Sequence, residues 1–490
     1  MTDIAIVPVD NVFCKIIAEP HILQEIRQQF TFKADNYKFS PQYKARRWNG
    51  DISLLKRNKI YVGLLPRIRD FATDAGYTLV VDPSISTSYN LSVKEFATFI
   101  KSLNLPFRPY DYQIESAIKS IRARRQTIVS PTSSGKSLII YMIAAWCLQQ
   151  EPKALIIVPT IGLVTQMKQD FEKYGSTHRI HVSTDNLNKS YDIDCDIVIT
   201  TWQSLNNGKT GVDPEWYHQF GIVIADECHT VNQSSKAKIL VNILSSLVHT
   251  PWRFGTTGTL SDNELNNFTL EGLLGPKINL ITTKDLMDKG NVSKLNIKCI
   301  VLSYPEEVRK QVKSLDYQGE IDYITTHEGR NQFIKNLALS LEGNVLVFFR
   351  FVDKHGNQLR DLLVAENDKP VYYIDGSVSG NEREEIRQKL EEEDNAVLVA
   401  SLGTTSTGVS ITTLKHMVAA SPSKSKIKVL QSIGRLLRLH VDKTEAILYD
   451  IVDDLSVGEY ENYTLRHFQE RLKLYNSEQF PYKIYTVEIK

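Results

Sequence analysis

The sequence holds only five cysteines, Cys14, Cys147, Cys195, Cys228 and Cys299, an odd number set far apart. No CxxC pair occurs among them, so neither a zinc framework nor a disulfide framework organises the chain, and a reducing compartment fits best. An excess of charge of one sign is missing too: 58 Lys and Arg oppose 57 Asp and Glu, a net +1. Any surface for a polyanion must then be a local patch. Long apolar runs are also lacking. The most apolar helical stretch, Leu138–Leu148, falls short of the ~20 residues that cross a bilayer. The opening MTDIAIVPVD carries acids and has no apolar core flanked by basic residues, which argues against a signal peptide. Repeats and low-complexity tracts are absent. Together these absences predict a soluble protein of the cytoplasm with no membrane partner.

What is present calls for several cores. At 490 residues, 42% hydrophobic and 23% charged, the chain is of ordinary globular composition and too long for one core. Residues 1 to about 85 mix short β-like runs (Ile4–Val9, Asp51–Leu55, Lys59–Val62) with helical patterns near His21–Phe30 and Leu64–Ala75. A Pro- and Ser-containing stretch from Asp82 to Asn90 reads as a linker. Beyond it, strand and helix alternate. Short β-branched runs at Thr127–Val129, Ala154–Val158, Ile197–Thr200 and Ile222–Ala225 suit a parallel sheet covered on both faces. Gly275–Gly343 contains another linker candidate and a charged helical stretch. A second alternating set follows at Val345–Phe349, Val371–Ile374, Val397–Ala400, Met417–Ala420 and Ile447–Ile451. The expected class is therefore α/β, with two tandem parallel-sheet lobes behind a small N-terminal α/β domain. The expected boundaries are 1–88 for the N-terminal domain, 89–275 for the first lobe, and 276–490 for the second lobe with a C-terminal helical extension.

The strongest local signal is TIVSPTSSGKS over Thr127–Ser137. A strand runs into a tight loop, Gly135-Lys136-Ser137 closes it, and an apolar helix follows, which is the setting of a phosphate-binding loop. Backbone N–H groups of Thr132, Ser133, Ser134 and Gly135 would cradle the phosphates of ATP. Lys136 would neutralise their oxygens, and Ser137 would ligate Mg²⁺. Ser130 stands where the first glycine of such loops usually is. The second half of such a site is Gly221–His229, an apolar strand ending in Asp226 and Glu227. Asp226 suits Mg²⁺ and Glu227 suits polarising the attacking water. Two acids after a strand are by themselves a weak signal; paired with the loop at Lys136 they become a strong one and predict NTP hydrolysis. Arg435 and Arg438, spaced i,i+3, would share one side of a helix and could meet a γ-phosphate together. Pairing with a structural acid is the other use of either arginine. Ten basic residues between Lys33 and Arg69 face only Asp35 and Asp51, a local charge of +8, with Tyr37, Phe39, Tyr43, Trp48 and Tyr61 interleaved. That mixture, with Arg46, Arg47 and Trp48 at its centre, suits phosphate contacts and base stacking. A solvated basic face over a small core is the plainer use of the same residues.

Several further segments resemble, in order, the motifs of superfamily 2 helicases. Gln113 resembles the glutamine that reads adenine. Pro159-Thr160 resembles motif Ia, Thr200-Thr201-Trp202-Gln203 motif Ib, DECH at Asp226–His229 motif II, and Thr257-Gly258-Thr259 motif III. Val345–Arg350 resembles motif IV, Thr404–Ser410 motif V, and Gln431–Arg438 motif VI. Phe32–Tyr37, Trp48–Leu55, Ser425–Gln431 and Gly434–Arg438 narrow the likeness to the UvsW-type helicases of T4-like bacteriophages, nearly end to end. The resemblance implies two RecA-like lobes behind a double-strand-binding-like domain. It also implies ATP-dependent remodelling of branched DNA: branch migration, fork regression and R-loop unwinding, in phage recombination and repair. Its partners would be branched, duplex or single-stranded DNA and RNA–DNA hybrids, in the host-cell cytoplasm. Nucleic-acid contacts would fall to Pro159, Thr160, Thr201, Gln203, Arg350 and Thr407, a nucleotide contact to Gly408, and coupling between the sites to Thr257 and Thr259. Ser410 departs from the acid common at the end of motif V, which leaves that nucleotide contact open. His229 fits either a coupling residue or a satisfied core histidine. Duplex translocation without strand separation, and action on RNA, remain the rival activities.

Overall fold

The computed structural model describes residues 2–85, 88–183, 194–206, 212–233, 238–366, 368–402, 411–422, 425–440 and 443–489. These divide into two compact units, one formed by Met1–Ser130 with Gly135–Leu280, the other by Pro131–Ser134 with Ile281–Lys490.

The first unit opens with six short strands: β1 (Ile4–Pro8), β2 (Phe13–Ala18), β3 (Thr31–Lys33), β4 (Asp51–Ser53), β5 (Lys59–Tyr61) and β6 (Leu79–Val81). Four of them make a sheet in the order β5-β2-β1-β6, and β3 pairs with β4 separately. The helices Pro20–Gln29 and Leu65–Ala75 each turn an apolar stripe (Ile22 and Ile26; Leu65, Ile68 and Ala72) into the core. This small domain is fused to the first lobe. The apolar side chains of the two form one continuous core, and Arg67 clasps Glu271 through Nε–Oε1 at 3.0 Å and Nη2–Oε2 at 3.1 Å. Gly63 lies so close to the Glu271 carbonyl that a Cβ would sit 2.1 Å from it.

The first lobe then supplies β7 (Arg125–Val129), β8 (Ala154–Val158), β9 (Ile180–Ser183), β10 (Ile197–Thr201), β11 (Ile222–Asp226), β12 (Trp252–Thr257) and β13 (Lys277–Ile278). Their order is β13-β7-β12-β11-β8-β10-β9, and every pairing is parallel. Every residue of β8 and β10 is buried, as expected of strands covered on both faces. The helix Lys136–Cys147, buried without a break from Leu138 to Cys147, is apolar all round because it lies inside.

The second unit repeats the plan with β14 (Lys294–Ser303), β15 (Asn344–Phe349), β16 (Val371–Ile374), β17 (Val397–Ser401), β18 (Leu414–Ala419), β19 (Glu445–Asp454) and β20 (Tyr482–Glu488). The order is β16-β17-β15-β18-β19-β14-β20, again all parallel. Two seven-stranded parallel sheets behind a small α/β domain are the expected class. Within Gly275–Gly343, where a linker candidate and a charged helical stretch are expected, the structure adds a strand. That stretch carries β14, paired with β19 along all ten residues, and the helices Thr283–Asp288, Glu306–Val312, Tyr317–Thr326 and Glu328–Ser340. Its alternation of Leu295, Ile297 and Cys299 (buried) with Lys294, Asn296 and Lys298 is a strand signal that its charged residues masked.

Candidate nucleotide and nucleic-acid site

In a parallel sheet, ligands meet the carboxyl ends of the strands, and here the chemistry-bearing residues collect at that edge. β7 ends at Val129 and leads into the phosphate loop, with the Ser130 N–H donating to the Thr257 carbonyl at 2.9 Å. β12 lies between β7 and β11, so Thr257 is level with Val129, and Thr256 with Asp226. Gly135 caps the following helix in the left-handed region (φ 75°, ψ 41°), where a glycine costs least. Gln113 has the third position of the helix Asp111–Ala123, takes the Tyr110 N–H at 2.9 Å on Oε1, and is buried. Its amide nitrogen lies where a Cβ on Gly135 would be only 2.4 Å away, so it stands against the phosphate loop. Lys136 Nζ donates to the Ser130 carbonyl at 3.3 Å, and Ser137 Oγ bonds the Tyr174 hydroxyl at 2.8 Å. Thr132, Ser133 and Ser134 lie in the stretch grouped with the second unit. Within it Ser134 Oγ donates to the Pro131 carbonyl at 2.7 Å and Ser133 adopts φ 70°.

The two carboxylates differ in character. Burial pushes the Asp226 carboxyl up, the neighbouring Glu227 adds to this, and Lys136 with the Thr256 hydroxyl opposes it. Thr256 Oγ1 donates to Asp226 Oδ1 at 2.6 Å. Burial acts on Glu227 in the same direction, but the His229 hydrogen bond and the charge of Lys136 outweigh it and hold this carboxyl below its ordinary range. His229 Nδ1 lies 3.1 Å from Glu227 Oε2 and 2.9 Å from Thr257 Oγ1. Thr257 Oγ1 reaches the Thr259 carbonyl at 2.7 Å. His229 is thus tied to the Glu227 carboxylate and the Thr257 hydroxyl. The donors fit a hard divalent cation: a hydroxyl oxygen on Ser137 and, on Asp226, a carboxylate whose charge burial disfavours and a cation would offset. No cluster of three or more His, Cys, Asp or Glu in metal-binding array occurs among the described residues.

The remaining expected residues divide. Arg46 and Arg47 are exposed, Arg46 with φ 55°. The Trp48 indole donates to the Asp51 carbonyl at 2.8 Å, and Lys33 is spent on Asp51 at 2.7 Å. Pro159 and Thr160 follow β8, and Gln203 Nε2 donates to the Pro159 carbonyl at 3.1 Å, which joins the two motif segments at one edge. Thr201 is buried, and its Oγ1 takes the Ser204 N–H at 3.1 Å; the cap of the short helix occupies this hydroxyl. Arg350 follows β15 and is exposed. Arg435 lies within the helix Lys426–Leu436, whereas Arg438 lies beyond its end. The expected sharing of one helix face by these two arginines is thereby corrected, because the chain leaves the helix in a turn closed by the Arg438 N–H donating to the Arg435 carbonyl at 3.3 Å. Thr407, Gly408 and Ser410 lie outside the described residues. The motifs did not single out Thr256 or Tyr174. Thr256 was legible as the hydroxyl facing Asp226 once the strands were aligned, but no local pattern marks Tyr174.

Three family models match the chain. "DNA helicase UvsW, N-terminal" covers residues 3–82, "Type III restriction enzyme, res subunit" residues 105–262, and "Helicase conserved C-terminal domain" residues 329–440. The chain is 35% identical to the ATP-dependent DNA helicase uvsW of Enterobacteria phage T4, over 97% of each chain. It is 24% identical to the DNA 3'-5' translocase XPB2 of Sulfurisphaera tokodaii, over 70% of this chain and 81% of that one. The crystal structure of T4 UvsW superposes with a TM-score of 0.53 at 34% identity, covering 99% of this chain and 100% of that chain.

Proposed function

The chain belongs to the UvsW family and is an ATP-dependent DNA helicase, and from that premise we propose that it remodels branched DNA by branch migration, fork regression and R-loop unwinding in phage recombination and repair. The observation that carries the reading is the gathering of Lys136, Ser137, Asp226, Glu227 and Thr257 at one sheet edge, in a unit whose core is continuous with the N-terminal domain. Lys136 and the amides of Thr132–Gly135 bind the phosphates, and Gln113 holds the base. Ser137 and Asp226 would hold Mg²⁺, which would offset phosphate charge when bound. Glu227, kept ionised by His229 and Lys136, aligns and polarises the attacking water. Arg435 and Arg438 stabilise the charge that develops in phosphoryl transfer, and Gly408 contacts the nucleotide. His229, Thr257 and Thr259 pass the state of the nucleotide to Pro159, Thr160, Thr201, Gln203, Arg350 and Thr407, which grip a strand. Arg46, Arg47 and Trp48 hold the duplex, the junction or an RNA–DNA hybrid. No described helix is long and apolar enough to cross a membrane, and the host-cell cytoplasm is the proposed place of action.

The test is ATP-dependent processing of a synthetic four-way DNA junction by wild type and Lys136→Ala, with a forked duplex as control. Wild type should convert the junction and the variant should not. ATP hydrolysis that leaves both substrates unchanged would overturn the branched-DNA reading in favour of translocation without strand separation, or of an RNA substrate.

A further inference from the structure

At the carboxyl end of β15 a buried chain of hydrogen bonds ends on the backbone of Arg350. The Arg350 N–H donates to Ser421 Oγ at 3.1 Å, and Ser421 Oγ lies 2.9 Å from His355 Nδ1. His355 Nε2 lies 3.2 Å from Asn331 Oδ1, while Asn331 Nδ2 donates to the Thr325 carbonyl at 3.0 Å and to Gln358 Oε1 at 3.2 Å. The donors fix one polarity. Asn331 spends its amide hydrogens on Thr325 and Gln358, so its oxygen must accept, and His355 must carry its proton on Nε2. Nδ1 is then an acceptor, Ser421 gives it its hydroxyl hydrogen, and the serine oxygen is left to receive Arg350. A neutral ring is required throughout. Burial holds the His355 imidazole well below its ordinary range, and the nearby Arg330 guanidinium adds to this. Arg330 also fixes the other side of the joint, donating to the Ala420 carbonyl at 2.8 Å while paired with Asp453 at 2.7 Å. The Phe349 ring leaves no room for a Cβ on Gly356, which seats the turn bearing His355 directly on β15.

We infer that Ser421, oriented by His355 and Asn331, is a positioning residue for DNA binding, which aims the exposed Arg350 side chain by holding its backbone at the strand end. The inference rests on the proposed role of Arg350 as a strand contact. The chain of bonds leaves the guanidinium itself unbonded to any of its members, so the charge remains available to a phosphate while its root is rigid.

The test is a double-mutant cycle on the full chain, read as affinity for a fluorescein-labelled single strand by anisotropy over a salt series, beside the KM for ATP. Arg350→Ala should weaken binding and lower the salt slope by about one phosphate contact. Ser421→Ala should weaken binding about fivefold, the factor a typical hydrogen bond supplies, with KM for ATP unchanged, and Ser421→Thr should restore it. In the Arg350→Ala background, Ser421→Ala should have no further effect. Equal losses in both backgrounds, or an ATP KM that moves in step, would overturn the positioning role. If Arg350→Ala itself changes nothing, the strand-contact reading fails and the inference falls with it. An effect of Arg350→Ala without one of Ser421→Ala sinks the inference alone.

Discussion

Gly135→Ala concentrates two costs at one atom. The residue caps the helix Lys136–Cys147 at φ 75°, and an alanine held there costs about 1–2 kcal/mol against the same residue in its preferred region. Its new methyl would also lie 2.4 Å from the Gln113 amide nitrogen, so Gln113 must move. In moving it gives up the Tyr110 N–H, which it now accepts at 2.9 Å, a loss of about 1 kcal/mol. The expected total is about 2–3 kcal/mol, felt first in the opening of the helix that carries Lys136. Native-state hydrogen exchange of the amides of that helix reads this local opening without requiring the whole chain to unfold in one step. Gln113→Ala alone should cost about 1 kcal/mol, since it removes the acceptor of the Tyr110 N–H. In the double variant the methyl no longer meets an obstacle, so the two losses should fall short of additivity by about 1 kcal/mol. Strict additivity, or a Gly135→Ala effect below about 0.5 kcal/mol, within the range of ordinary surface changes, would show that Gln113 does not press on the phosphate loop.

Glu227 has φ 48°, so Glu227→Gly should leave the local structure about 1 kcal/mol more stable than Glu227→Ala, although both abolish ATP hydrolysis; exchange of the amides around β11 compares them. Lys443 donates to the carbonyls of Thr412 at 3.0 Å and Leu436 at 2.8 Å, and burial lowers it to about 8, Arg438 reinforcing this and Glu391 opposing. Its folded value lies below its unfolded one, so between about pH 8 and 10.5 the unfolded chain holds more protons and stability rises with pH. Urea unfolding should show wild type gaining up to about 3 kcal/mol over that window relative to Lys443→Met. An identical pH profile in the two would refute a depressed lysine.

The parallel strands were legible because burial on both faces writes them as short β-branched runs. Ala154–Val158 and Val371–Ile374 have the expected bounds, and most others moved by a residue or two. β14 was not legible as a strand, since its charged residues read as a helical linker. β12 hides for a different reason: Arg253 interrupts Trp252–Thr257 with a charge that only the fold explains. Its guanidinium is fully buried and donates to the carbonyls of Leu273 at 2.7 Å and Leu247 at 2.9 Å, partners that no periodicity of the sequence points to. At the site, the phosphate loop and the paired acids could be read directly, because each is a contiguous string with a fixed neighbourhood. The bond from Thr256 to Asp226 depends on strand order, and the one from Tyr174 to Ser137 on the packing of a helix end against the loop. Neither leaves a local trace. The same holds for the Thr201 hydroxyl, which takes the Ser204 N–H and caps a short helix.

Strain at the nucleotide edge has a geometric cause. Side chains alternate between the faces of a strand, so two consecutive acids at the end of β11 would point apart if the chain ran on extended. The left-handed turn at Glu227, φ 48° and ψ 45°, breaks that alternation. Both carboxylates then feel the charge of Lys136, and Glu227 also meets His229 and faces Thr257. A residue other than glycine held there costs about 1–2 kcal/mol, and glycine, which would remove the cost, has no carboxylate. The same reasoning separates the two carboxylates in chemistry. Asp226, still on the strand and bonded to Thr256, is pushed up by burial, a cost that a cation would offset. Glu227, turned out of the strand toward two positive or proton-bearing partners, keeps its negative charge and its reach toward water. One unfavourable dihedral thus gives adjacent, chemically similar residues opposite shifts, Asp226 raised and Glu227 lowered.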